Sequence, residues 1–390
     1  MLFFELLQTA IGSRQALTHA PSAEEWSELY ALAQKQALTG IAFRGVELLP
    51  EGQRPPKPLL MQWYMATEHI KAMNAEQDRK ALGVAHKFLD EGFPNVILKG
   101  QGIARLYRAD RLTIDANARD GLQTLFATST PEGDTKHDTL NKATADDKLS
   151  TYRTPGDIDI WLHSKREAIL EYVRQHVPDC KPVYHHVDFP VVEGLAIEVH
   201  FTPSWMNSPV TNRRLQRFFG EHLSSSASSP EELPIPSLTF NRVYILVHIY
   251  RHLFAEGIGL RQLLDYYFVL CQGFTEEEQE ETMRTLHSLR MQRFAGAVMW
   301  VLKQVFDIDD RYMLTAPDER EGRFLLEEIM QAGNFGQYDQ RLQHQQGEST
   351  LHWGLRKVKR NFRFVRSYPS EVLWSPLFKL WHYFWRKRHL

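Results

Sequence analysis

The sequence predicts an α+β protein in which helical regions flank a small strand-bearing core. Apolar residues recur at helical spacing over 1–92 and again beyond 240. Between these regions lie short β-branched runs set off by Gly and Pro. The 390 residues, 43% of them hydrophobic and including 22 Phe, 14 Tyr and 9 Trp, can bury a sizeable core without disulfide or metal staples.

Taken in order, Met1 to Leu7 reads as an amphipathic helix rather than a signal peptide, because Glu5 interrupts it and it has no basic segment. Ser22-Ala23-Glu24-Glu25 has the form of a capping box, and Trp26, Leu29, Tyr30 and Ala33 follow at helical spacing. Pro55, Pro56 and Pro58 break the pattern, and a long helix is expected from about Leu60 to Asp90, ended by Gly92 and Pro94. Strands are expected at Asn95–Leu98, at Asp157–Leu162, and as a hairpin near Val183–Val192 and Leu195–Phe201, with a helix over Ser164–His176. Residues 109–152 lack sustained apolar periodicity and read as a partly mobile surface insertion. Ser224–Pro230 reads as a linker, and Thr275-Glu276-Glu277-Glu278 supplies a second capping box. The layout is an N-terminal helical region (1–92), a core (93–205) carrying the insertion, a Ser/Pro-rich linker (206–240), a C-terminal helical region (241–350) and a basic aromatic tail (351–390).

Composition excludes several classes. A net charge of −2 rules out a strongly basic nucleic-acid binder or an acidic tail protein as a description of the whole chain. Two distant cysteines, Cys180 and Cys271, form neither a disulfide framework nor a CxxC metal site, and point to a reducing, cytoplasmic compartment. No uncharged apolar run reaches the ~18 residues of a membrane span. The tail differs: residues 351–390 hold ten Lys/Arg against one acid, Glu371, with ten aromatics interleaved. Three readings stand for it: a helix docked on the acidic body, a single-stranded nucleic-acid contact, or peripheral association with an anionic membrane surface. Docking is preferred, with the membrane surface second.

The chemistry concentrates around Asp157 and Asp159. At i and i+2 in a strand, both carboxylates fall on one face, with Ile158 and Ile160 turned to the core. Two carboxylates that close repel unless something positive lies between them, and a divalent metal does this. Gly156 permits a ligand to approach the backbone, and Lys99-Gly100 sits where a strand meets a helix start, a junction suited to an anion. Ile197-Glu198-Val199-His200 alternates, so Glu198 and His200 share a face, and Glu198 supplies a third carboxylate for a two-metal arrangement.

Leu98-Lys99-Gly100 with Leu106-Tyr107, Arg153-x-x-Gly156-Asp157-Ile158-Asp159 and Ile197-Glu198-Val199-His200 together resemble the uncharacterised nucleotidyltransferase family of bacteria, within the DNA polymerase β-like superfamily. Gly257 to Asp265 resembles that family's C-terminal helical portion, and the likeness covers about 20–300. The resemblance implies a small mixed sheet flanked by helices. It implies that Asp157, Asp159 and Glu198 hold Mg²⁺ (or Mn²⁺), and that the Lys99-Gly100 junction faces a nucleoside triphosphate such as ATP. Two features depart from the superfamily's pattern: Lys-Gly replaces the commoner Gly-Ser, and 109–152 widens the gap between Gly100 and Asp157. The expected reaction moves an NMP group from the NTP to an acceptor hydroxyl, with Glu198 able to assist its deprotonation. The acceptor is open among sugar, small molecule, RNA and protein. The rival readings are a non-catalytic nucleotide-binding or interaction module and an RNA-directed, toxin-like transferase.

Around this centre, Arg153 is read equally as a phosphate contact or as a carboxylate fork steadying the Asp157 loop. His200 is read three ways, as a metal ligand, as an aid to proton transfer or as a residue that only positions Glu198, with a chemical role less favoured. His248 and His252, four apart but without the Glu of a zinc motif, read as helix-packing histidines. Arg251, Arg261 and Asp265 read as interhelical pairs, with Arg261 able to reach a phosphate, and His185-His186 reads as a surface pair.

Overall fold

The computed structural model describes residues 1–107, 148–223, 232–341 and 349–389. The linker expected at 224–230 and nearly all of the insertion expected at 109–152 lie outside the described residues.

Four short strands form one mixed sheet: β1 (Asn95–Ile97), β2 (Ile158–Leu162), β3 (His186–Asp188) and β4 (Ile197–His200), in the order β1-β2-β4-β3. β2 runs parallel to β4, with Asp159 opposite Glu198, while β1 and β3 pair antiparallel at the two edges. Helices account for most of the remainder, so the expected α+β class with a small mixed sheet and helical flanks is what the chain adopts.

The first three helices, α1 (Leu2–Ala10), α2 (Ala23–Lys35) and α3 (Thr39–Leu48), begin the helical body. The Ser22 capping box forms as expected, with its hydroxyl accepting from the Glu25 N–H and the Glu25 carboxylate accepting from the Ser22 N–H. Next comes α4 (Lys57–Asp90), three residues longer at its start than the proline pattern suggests, because Pro58 lies in the first turn, where a missing N–H costs nothing. Its two ends serve different cores. Trp63 joins the large helical core, whereas Ala81, Val84, Ala85 and Phe88 cover one face of the sheet.

That face is built by alternation. Ile158, Ile160 and Leu162 of β2 meet Ile197 and Val199 of β4, α4 and the helix α6 (Arg166–His176), which follows the short helix α5 (Gln101–Ala104) in chain order. The other face presents Trp161 to the helical body, where it stacks on Phe240 with ring centroids 5.8 Å apart. β2 is thus buried on both sides, and Asp159 is carried into the boundary between sheet and helices, only 2% exposed.

Residues 209–221, within the 206–240 stretch, form the helix α7 (Pro209–Glu221), buried through Leu215, Phe218 and Phe219. The helical body continues through α8 (Leu238–Ala255), α9 (Leu260–Cys271), α10 (Glu276–Ser288), α11 (Gln292–Phe306) and α12 (Glu319–Ala332). The Thr275 capping box opens α10 as expected. The chain ends in α13 (Thr350–Phe362) and α14 (Pro369–His389), the latter with Pro376 inside it.

Phe88 is fully buried and packs on Phe189 (5.4 Å) and Tyr172 (5.7 Å), coupling α4 to the sheet and α6. Phe88→Ala is expected to destabilise the chain by about 3–5 kcal/mol, from lost burial plus the cavity left behind. Urea unfolding checks this, and a loss near that of a surface substitution would show that this contact does not tie α4 to the sheet.

Candidate active site

The site is assembled where three segments of the sheet end. Leu98 prolongs the β1–β2 pairing, its N–H donating to the Asp159 carbonyl at 2.9 Å. This delivers Lys99 to the carboxylates. Its Nζ lies 2.9 Å from Asp159 Oδ2 and 3.2 Å from Asp157 Oδ2, bridging the Asp-x-Asp pair. Burial works against the lysine's charge, but the Asp159 and Asp157 carboxylates outweigh it and hold the ammonium above its ordinary range. Gly100 then turns the chain at φ 60°, ψ −116°, a left-handed conformation that favours glycine. A Cβ there would stand 3.3 Å from the Asp157 carbonyl.

β4 supplies the next two groups. Parallel register sets Glu198 beside Asp159, and His200 Nε2 bonds Asp159 Oδ1 at 2.8 Å while lying 3.4 Å from Glu198 Oε2. Burial disfavours the imidazolium, yet hydrogen bonds to Asp159 and Glu198 prevail and push its pKa up to about 9. β3 adds a group whose place the sequence reading did not find. His186 lies across from His200 in the antiparallel register, with Nδ1 3.2 Å from Glu198 Oε2. His185 contacts it at 2.9 Å and packs on Trp205 at 4.0 Å, so the two histidines adjoin the carboxylates rather than forming a surface pair. Burial alone would raise the Glu198 pKa, but the hydrogen bond from His200 and the charges around it leave it below the usual carboxylate value.

The turn carrying Asp157 is clamped from two sides. From α4, the Asn74 amide donates to the carbonyls of Thr151 (2.7 Å) and Arg153 (2.6 Å), and the Gln77 amide donates to the Gly156 carbonyl (2.9 Å). From α9, Asp265 receives Arg153 as a two-pronged fork at 2.7 and 2.8 Å, and the Tyr107 hydroxyl donates to the same carboxylate at 2.6 Å. Arg153, 3% exposed, therefore takes the carboxylate-fork role, with Asp265 as partner. Arg261 Nη1 donates to the carbonyls of Thr154 (3.1 Å) and Pro155 (3.2 Å). Asn74 and Gln77 were not legible in the sequence, which carries no local mark of amides aimed at a loop some eighty residues away.

A cleft of about 390 Å³, measured out to open solvent, lies against this turn; Lys99, Gly100, Gly156, Asp157, Arg261 and Phe335 are among its walls. Three cationic side chains, the partly buried Lys99 and the buried Arg153 and Arg261, thus line one cavity. Burial and the neighbouring Arg153 draw the Arg261 pKa down to about 10, which still leaves it charged near neutrality. Among the described residues its Nε has no hydrogen-bond partner. His248 also reaches the cleft, and its ring lies edge-on to that of His252, one turn further along the same helix, at 4.3 Å.

The donor set accords with a hard divalent cation. Asp159, Glu198 and His200 each offer an atom within 4.8 Å of the others, as do His185, His186 and Glu198. His200 Nε2 is already committed to Asp159 Oδ1, and the Lys99 ammonium lies 2.9 Å from Asp159 Oδ2, a position a cation would share. The two groups share Glu198, and the carboxylates of Asp159 and Glu198 are the oxygen ligands that a hard divalent cation would take.

The small mixed sheet thus bears carboxylates on adjacent strands, next to a Lys-Gly turn and a cationic cleft. The chain belongs to a family described as uncharacterised nucleotidyltransferases, whose sequence profile matches residues 22–112 and 150–307. The gap in that match, 113–149, falls inside the stretch read as an insertion. No curated protein and no solved structure matches the chain.

Removing Asp265 strands a buried guanidinium. Asp265→Ala is expected to cost about 3–5 kcal/mol in chemical unfolding. A loss below about 1 kcal/mol, the range of an exposed ion pair, would show that the fork does not hold the turn.

Proposed function

We propose that the chain is a divalent-metal-dependent nucleotidyltransferase that moves a nucleoside monophosphate from an NTP to an acceptor hydroxyl and releases pyrophosphate. The observation that carries this is the juxtaposition of Asp157, Asp159 and Glu198 with the cleft lined by Lys99 and Arg261. Acid clustered beside a cationic cleft suits a substrate that is itself a metal–polyphosphate pair.

Asp157, Asp159 and Glu198 would hold the cation, which when bound neutralises phosphate charge and polarises the reacting phosphoryl group. The chain's own residues account for the rest. Lys99 and Arg261 receive the triphosphate oxygens, and the bare backbone at Gly100 and Gly156 lets them come close. His200 positions Asp159 and Glu198 through its two contacts, and Arg153 positions the Asp157 turn through Asp265. The acceptor oxygen forms a bond to the α-phosphorus as the bond to pyrophosphate breaks, and the hydroxyl proton passes to Glu198. Such a transfer relies on positioning and charge neutralisation more than on covalent catalysis.

Concentrating three carboxylates is electrostatically costly, which argues against an idle binding module. No helix among the described residues is long and apolar enough to cross a membrane.

The test is thermal unfolding with each NTP and Mg²⁺ or Mn²⁺. A nucleotide at ~100 times its dissociation constant should stabilise the native chain by about 2.7 kcal/mol. The shift should require the metal and vanish in Asp157→Asn/Asp159→Asn. An equal shift in that variant, or none with any NTP, would contradict the assignment. Arg261→Met is expected to weaken nucleotide binding by about tenfold or more, the worth of a charged hydrogen bond to phosphate. Titration calorimetry checks this, and wild-type affinity would remove Arg261 from the phosphate site.

A further inference from the structure

The basic tail is folded, and its inner face is spoken for. Its single acid, Glu371, is 1% exposed; its carboxylate accepts the Asn207 N–H at 2.8 Å and lies 3.6 Å from Arg251. Arg251 in turn lies over Trp205 at 3.6 Å. Phe364 and Tyr368 are buried against Phe254 and Tyr250, and the Asn361 amide donates to the Phe254 carbonyl at 2.9 Å. Further along α14, Phe378 meets Trp205 and Tyr184, and Arg166 lies over Trp385 at 5.0 Å.

The outer face is left over. On α14, Leu373, Leu377, Leu380 and Phe384 follow the spacing of one helical stripe, opposite the side that carries Glu371 and Phe378, and are 55–61% exposed. The half-exposed Trp381 and Tyr383 stand beside the stripe, with the exposed Lys387 and Arg388 at its end. On α13 the same design recurs: Leu355, Val358 and Phe362 are 50–68% exposed. Two consecutive helices thus turn apolar stripes to solvent, in a region whose only carboxylate side chain is buried.

We propose that the outer face of α13 and α14 lies on an anionic lipid surface. Charge selects this occupant. A second copy of the chain would set one acid-free basic face against another, and like charges repel. A nucleic acid would satisfy the cations but leave the leucine stripe unburied, since aliphatic side chains offer no stacking plane to bases. An anionic bilayer answers every feature at once: its headgroups meet Lys and Arg, its acyl boundary takes the leucines, and Trp and Tyr favour the depth between. The helices would lie in the interface, in keeping with their length and charge.

The experiment is co-sedimentation of the full chain with vesicles of phosphatidylcholine alone or mixed with phosphatidylglycerol. Binding is expected to the mixed vesicles only, and to weaken as salt rises. Leu377→Glu/Phe384→Glu should reduce it by about tenfold or more, and Lys387→Glu/Arg388→Glu should reduce it as well. Because these positions are exposed, both variants should melt like the wild type, separating lost binding from lost folding. Three results would overturn the proposal: no sedimentation with anionic vesicles, sedimentation unchanged in Leu377→Glu/Phe384→Glu, or a wild-type dimer that this variant converts to monomer. Binding to a single-stranded RNA oligonucleotide in place of vesicles would also overturn it, assigning the face to nucleic acid.

Discussion

Gathering negative charge at the junction of sheet and helices is the constraint on which the rest of the structure depends. Asp159 and Glu198 face each other on adjacent strands, and Asp157 stands two residues away. Like charges about 5 Å apart repel by roughly 3 kcal/mol at the effective dielectric of a protein interior. The fold answers with positive groups placed by the same strands, Lys99 from the end of β1 and His200 from β4, while His186 of β3, which burial holds toward its neutral form, lies against Glu198. Lys99 bridges Asp157 and Asp159 where a bound cation would also be drawn, and Lys99 and His200 together leave the three carboxylates incompletely neutralised.

Holding the carboxylates in place requires the turn before β2 to be rigid, and distant parts of the chain converge on it. Asn74 and Gln77 of α4 bind its carbonyls, and Arg153 grips Asp265 across 112 residues. Nucleotidyl transfer depends on alignment of the reacting groups, so precision is vested in the rigid elements α4 and α9 instead of in the turn itself. The same logic explains the length of α4: its first half belongs to the helical core, its second half to the sheet, and the amides between them set the turn relative to both.

Much of this could be read from sequence because it is periodic or local. Alternation in Ile197-Glu198-Val199-His200 placed Glu198 and His200 on one face, and the same period placed Asp159 opposite the core residues Ile158 and Ile160. The capping boxes at Ser22 and Thr275 are contacts over three residues. What stayed hidden was long-range and unpatterned. Nothing near Asn74 announces that it binds carbonyls near Arg153. His185-His186 resembles any exposed pair until the β3–β4 register sets it against Glu198. The division of the tail into a docked face and an exposed stripe became visible only once the burial of Glu371 fixed the rotation of α14.

These carboxylates are proposed to form a cation site for a nucleotide. The most direct measurement is a Mn²⁺ titration followed by electron paramagnetic resonance, with and without a nonhydrolysable NTP analogue, comparing the wild type with Glu198→Gln. The substitution keeps shape while removing the charge next to Asp159. Saturable Mn²⁺ binding strengthened by the nucleotide, and lost in a Glu198→Gln protein that still unfolds cooperatively, is the predicted result. Equal binding by both proteins would place the cation elsewhere and contradict the account.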